Sequence, residues 1–286
     1  MFSRKTLSGI GLFIIVIVAL MAAGCSDDST PVSNTVAGSL TDPEFVPVKT
    51  QVDNLLDSTV SYLSDGFDNI YNLPVDTGSI GAVYGPMGAN DTAIYVYANG
   101  WHIIYVAQSN AYFTRHISDS VQYMLDNVPL QTAGGLDYLH YIHRWDFATQ
   151  NLLTTHTNMT GDVNLEFSGL DGTVAGVNGV KNFVVEWNYI GLDSTVEALY
   201  DMNVTAGDIQ INKTAASGWA SGCPSSGSLD ININESWTLT DNTGKNMVVR
   251  TWKAAVQFIN GTANVTITRL GTTWHYSLEL CTPPSN

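Results

Sequence analysis

Seven carboxylates stand out as groups able to do acid–base chemistry: Asp119, Asp137, Asp146, Glu166, Glu186, Asp201 and Glu235. Two of them facing each other across a sugar would make a glycan hydrolase, which needs carboxyl groups roughly 5–9 Å apart. No spacing along the chain brings any two together by itself. The histidines are His102, His116, His140, His143, His156 and His275. His140 and His143 have the look of a metal pair, but on a strand a separation of three puts them on opposite faces. His143 shares its face with Leu139, Tyr141, Trp145 and Phe147, so it reads as a buried, hydrogen-bonded core histidine. The HExxH, CxxC and GxSxG patterns do not occur, and the one closely spaced GxG pair, Gly9 and Gly11, sits in an apolar N-terminal run. Asp241-Asn242-Thr243-Gly244 resembles a weak calcium loop and fits a polar hairpin turn better. The sequence therefore assigns no catalytic residue, no metal ligand and no cofactor.

Composition narrows the field further. The chain has 286 residues, with 11 Lys+Arg against 26 Asp+Glu and a formal charge of −15. That balance argues against a nucleic-acid partner, because phosphate-backbone binding depends on Lys and Arg releasing counterions. Charged residues make up 13%, too few for a coiled coil, while 44% hydrophobic residues suffice for a packed core.

The N-terminus reads as an address. Arg4 and Lys5 precede an unbroken apolar run from Leu12 to Met21, followed by Ala22-Ala23-Gly24-Cys25. This pattern resembles the signal peptide and lipobox of bacterial lipoproteins, with Ala22 where that family more often has Leu. The resemblance implies that residues 1–24 are removed and that Cys25 is lipidated, anchoring the protein to a membrane by acyl chains. Loss of Arg4 and Lys5 leaves 9 basic residues against 26 acidic, about −17. Ser26 after the cysteine implies delivery to the outer membrane of the cell envelope. Ser26-Asp27-Asp28 is also similar to the surface-export signal of Bacteroidota lipoproteins. The polar, Ser/Thr/Asp/Pro-rich stretch that follows, within 25–47, reads as a flexible tether.

From residue 48 to 286 the pattern is that of a single β-rich domain beginning with one helix. Val48, Val52, Leu55, Leu56, Leu63, Phe67 and Ile70 recur at helical spacing, so an amphipathic helix is expected over 48–65, reaching at most 71. Residues 75–92 are glycine-rich and read as loop. Ten strands are then expected, at 93–107, 110–125, 137–149, 153–167, 172–190, 195–213, 228–240, 247–259, 262–269 and 272–281. At Ala206-Gly207 the apolar residues change from even to odd numbering, the signature of a β-bulge. One helix cannot cover ten strands, so the fold expected is all-β: an antiparallel meander making a strongly curved sheet, sandwich or partial barrel.

The last four strands can be placed in register. Asn260-Gly261 is a type I′ hairpin signal that sets Phe258 opposite Ala263 and Val256 opposite Val265. Leu270-Gly271 as the next turn sets Val265 opposite Tyr276 and Ile267 opposite Trp274. Both turns put the same face of 262–269 inward, and a slip of one residue would reverse every side chain. Cys223 then precedes the first of these strands and Cys281 closes the fourth, at the same end of the sheet. In an oxidising compartment a disulfide between them is expected. A flat sheet would hold them about three strand spacings apart, ~14 Å, so a loop or curvature must close the gap.

The function this supports is a non-catalytic envelope lipoprotein that binds a hydrophobic ligand, a glycan or an envelope protein. A lipid carrier with a cavity under the curved sheet and a carboxylate-dependent glycan hydrolase are the alternatives. A cavity favours the carrier, a solid core favours a surface interaction, and two facing carboxylates favour the hydrolase.

Overall fold

The computed structural model describes residues 36–61, 70, 84, 87–150, 154–213 and 223–281. Cys25, the signal segment and the first part of the tether lie outside these residues. Among the described residues the elements are β1 (Val36–Ala37), α1 (Phe45–Ser61), β2 (Thr92–Ala98), β3 (Trp101–Ser109), β4 (Phe113–Leu125), β5 (Val128–Leu130), β6 (Tyr138–Thr149), β7 (Thr155–Ser168), β8 (Val174–Ile190), β9 (Ser194–Asn212), β10 (Pro224–Asp241), β11 (Gly244–Ile259), β12 (Thr262–Arg269) and β13 (Thr272–Glu279). The fold is all-β with one helix: a single curved, open sheet of 13 strands. Its order is β1-β13-β12-β11-β10-β9-β8-β7-β6-β4-β3-β2, with β5 pairing β4 off that path. Apart from the short parallel pair of β1 with β13, every pairing is antiparallel.

The strand count differs from the expected ten for three physical reasons. The stretch 93–107 is two strands, β2 and β3, because Asn99 (φ 53°) and Gly100 (φ 83°) make a tight turn inside it. β5 adds a three-residue return after β4. Val36–Ala37, expected within the tether, pairs with Thr272–Thr273 of β13. Residues 36–39 thus run along β13 rather than serving as a free tether, and α1 starts at Phe45 rather than Val48. Phe45 is fully buried and stacks on Trp274 with ring centroids 4.9 Å apart. Tucking Phe45 under the sheet edge removes from water an aromatic surface that a tether would leave exposed. Beyond Ser61, the expected extension of the helix lies outside the described residues except for Ile70, which is buried.

α1 packs its apolar stripe, Phe45, Val48, Val52, Leu55 and Leu56, into one continuous core with the inner face of the sheet. Across the sheet the inner positions alternate with exposed ones; on β10, Leu229, Ile231 and Ile233 are buried while Asp230, Asn232 and Asn234 are exposed. The phase change at Ala206-Gly207 is a bulge. Asp208 is the extra residue against both neighbours, with φ 48° and its amide donating to Asn178 Oδ1 at 2.7 Å.

The C-terminal register is the one the two turns imply. Val256 pairs with Val265, Phe258 with Ala263, Val265 with Tyr276 and Ile267 with Trp274. Cys223 and Cys281 form a disulfide with Cα atoms 6.0 Å apart. The gap of a flat sheet is closed because both flanking segments cross the tip of the β11–β12 turn. The Gly261 amide donates to Pro224 O at 2.8 Å, and the Leu280 amide donates to Gly261 O at 3.0 Å.

Candidate functional site

The registers decide which chemistry-bearing residues meet. Of the seven carboxylates, Asp119 and Glu235 are buried on the inner face. They stand on β4 and β10, five strand steps apart in the sheet order, roughly 24 Å along a flat sheet. Asp146, Glu166, Glu186 and Asp201 occupy the alternate positions that face outward, and Asp137 precedes β6, its Oδ2 accepting from the Asp126 amide at 3.1 Å. Asp146 pairs with His116 Nδ1 at 2.7 Å on the outer surface.

Asp119 gathers three donors. Tyr141 Oη donates to Oδ1 at 2.6 Å, His143 Nδ1 donates to the same oxygen at 2.6 Å, and the Tyr84 hydroxyl donates to Oδ2. A carboxylate that is 2% exposed must be satisfied in this way, because an unpaired buried charge is strongly unfavourable. His143 is thus hydrogen-bonded on the inner face, as its strand neighbours suggest, while His140 faces outward and bonds Asn164 Oδ1 at 2.6 Å. The two do not share a site. Among the described residues no cluster of three or more His, Cys, Asp or Glu side chains could hold a metal. Asp241 accepts from the Thr243 amide (2.7 Å), the Thr243 hydroxyl (2.6 Å) and the Gly244 amide (3.2 Å). Those bonds hold its carboxyl below the usual range and make this segment the β10–β11 hairpin turn.

Glu235 belongs to a second network, which pins the helix. Arg250 lies between Glu235 (3.6 Å) and Glu44 (3.4 Å), and Arg269 also reaches Glu44, just before α1. Trp252 Nε1 donates to Glu235 at 3.3 Å, and Arg269 lies over the Trp252 ring. Burial raises the Glu235 pKa, against the lowering pull of Trp252 and the two arginines. Nearby, burial likewise raises the Tyr200 hydroxyl, which donates to Gln51 of α1 at 2.7 Å. These groups hold elements together, and each is engaged by a neighbour within the chain.

The outer face offers two surfaces. One is a polar ladder in which Asp162, Asn182, Asn203, Asn232 and Lys253 lie side by side across five strands. Asn182 Nδ2 donates to Asp162 Oδ2 at 3.1 Å. The other is the β2 edge. Among the described residues β2 is paired on one side only, and its seven residues, Thr-Ala-Ile-Tyr-Val-Tyr-Ala, carry no charge. Ile94 is 46% and Val96 45% exposed, and Ile94 lies opposite Tyr105, also exposed. The signal for this edge in the sequence is Asn99-Gly100, the same dipeptide that marks the C-terminal hairpin.

Compared with protein-family models, with curated proteins and with solved structures, the chain has no match.

Proposed function

We propose that this chain is a lipid-anchored protein of the bacterial envelope, tethered through Cys25, that docks an extended segment of another envelope protein onto the edge of β2. The carrying observation is that edge: backbone donors and acceptors unpaired among the described residues, beside an apolar, uncharged outer stripe. Soluble proteins normally blunt such an edge with Lys, Pro or a bulge, because it templates strand addition. A partner strand would gain main-chain hydrogen bonds from β2 and apolar contacts from Ile94 and Val96. The two cavities under the sheet are small for a carrier. Cavities of about 60 and 40 Å³ occur among the described residues. A cavity of some 150 Å³ holds a benzene ring, so neither takes a long acyl chain.

A photo-cross-linking residue at position 94 in intact cells tests the reading. One defined envelope protein should be captured, and Val96→Lys should abolish the product while leaving the thermal unfolding of the purified protein unchanged. An unaltered cross-linking pattern in Val96→Lys would refute it. The Asn ladder favours a second reading, a flat contact with a hydroxyl-rich glycan; Asn203→Arg would disrupt that contact and leave the β2 edge intact.

A further inference from the structure

Among the described residues four cations reach the inner face: Arg115, Lys181, Arg250 and Arg269. The three arginines all have partners, Arg115 with Tyr84 O at 3.0 Å and the other two with Glu44 and Glu235. Among the same residues Lys181 on β8 has neither a hydrogen bond nor an ion pair. Its cross-strand neighbours are Val163 and Val204. It lines an open-mouthed cavity of about 60 Å³ with Val163, Val177, Ala206 and Leu229, next to Thr59 of α1.

The cavity has a traceable origin. In the inner row beside Lys181, Leu165 is followed by Gly179 and Ala206 before Leu229 restores bulk. Gly179 is imposed by the backbone. Its φ is +145°, and a Cβ there would stand 2.1 Å from Asn164 O. This follows from the Asp208 bulge, which shifts the β8–β9 register between Val177 and Gly179. Two adjacent inner positions therefore lack side-chain volume, and the inner ammonium without a described partner stands beside them.

We propose that this cavity binds a small apolar monocarboxylate, its carboxylate on the Lys181 ammonium and its short hydrocarbon end over Gly179 and Ala206. A space of about 60 Å³ takes a stub of about two carbons, since a methyl or methylene group is about as large as a water, which occupies about 30 Å³ of liquid. An anion completes what the fold leaves open, because a partly desolvated ammonium is stabilised by a paired carboxylate. Lys181 is half-buried, and that burial lowers its pKa. No other charge contributes to that shift, so no described carboxylate competes for the position.

Isothermal titration calorimetry of the purified full-length protein with propanoate tests the site. Saturable one-to-one binding is expected, at least tenfold tighter than that of the neutral propanamide. Lys181→Met keeps the side-chain bulk and should erase the preference for the acid over the amide. Ala206→Leu fills the cavity and should weaken acid binding at least tenfold with the ammonium still in place. The acid–amide comparison on the wild-type protein needs no variant, so misfolding of either variant leaves a decisive measurement. Absence of saturable binding, equal affinity for acid and amide, or undiminished acid binding by Lys181→Met or Ala206→Leu would each overturn the proposal.

Discussion

Arg250→Met should be one of the costliest single changes in the molecule. Arg250 is 7% and Glu235 8% exposed, so removing the guanidinium strands a carboxylate that water barely reaches. Breaking a buried pair by deleting one partner costs about 3–5 kcal/mol. Trp252 Nε1, at 3.3 Å, remains as a donor to Glu235, and Arg269 still holds Glu44. Those contacts place the expected loss near the lower end, about 3 kcal/mol. Met is chosen over Ala because it preserves the apolar stem and creates little cavity.

The pH dependence separates a charge effect from a packing effect. The folded-state pKa of Glu235 already lies above its unfolded value. Between those two values the folded protein binds more protons than the unfolded one, so this group's contribution to stability falls as pH rises through the folded pKa. Deleting Arg250 removes a lowering influence and raises that pKa further. The variant's deficit should therefore shrink from a higher to a lower pH as the pH falls through the raised pKa of Glu235, which takes up a proton and stops being a stranded charge. Urea denaturation of both proteins at the two pH values measures this. A deficit below about 1 kcal/mol, or one that is the same at both pH values, would refute the reasoning.

Gly261→Val should cost more than the ~1–2 kcal/mol of left-handed strain alone, because its φ is +82° and a Cβ there would sit 2.4 Å from Cys281 O; chemical denaturation measures it. In the same assay Val265→Thr should destabilise by about 1–3 kcal/mol through a buried hydroxyl, whereas Asn264→Thr, on the exposed face, should stay within about 0.5 kcal/mol. Cys223→Ser should lose up to about 4 kcal/mol, the chain-entropy figure for the 58-residue separation of the cysteines, read as a lower denaturation midpoint. Cys25→Ala should leave an uncleaved precursor, visible by gel mobility and detergent partitioning. Binding of propanoate should weaken as pH rises through the lowered pKa of Lys181, since the groups facing it, Val163, Val204 and Thr59, carry no charge; calorimetry across pH reads that trend.

How much of the fold is legible in the sequence depends on local signals. The β10–β13 register is readable because two turn dipeptides and a period-two apolar pattern agree on one face, and the Ala206-Gly207 bulge because the phase changes there. Asn99-Gly100 carries the same turn information as Asn260-Gly261. It is masked because the apolar residues on either side run on without a polar break, which reads as one long strand. The packing of Val36–Ala37 and Phe45 has no local signal; it exists because Trp274 and Thr272–Thr273 sit more than two hundred residues away at the sheet edge.

The interior polar sites show a different kind of legibility. Glu235 continues the odd-numbered apolar series Leu229, Ile231 and Ile233, Arg250 precedes Trp252, Ala254 and Val256 in the even series of β11, and Lys181 precedes Phe183 and Val185 in the odd series of β8. A charged residue in the core phase of a strand must face inward, because turning it outward would expose every apolar neighbour of the same parity. Parity along the chain therefore marks each of the three as an inner charge. It does not say which are paired. Glu235 and Arg250 are directly opposed on neighbouring strands, so they neutralise each other. Lys181 is aligned with Val163 and Val204, and no described residue answers its charge. The same alternation that builds the core thus makes one inner charge structural and leaves another open to a ligand, and only the cross-strand alignment tells the two apart.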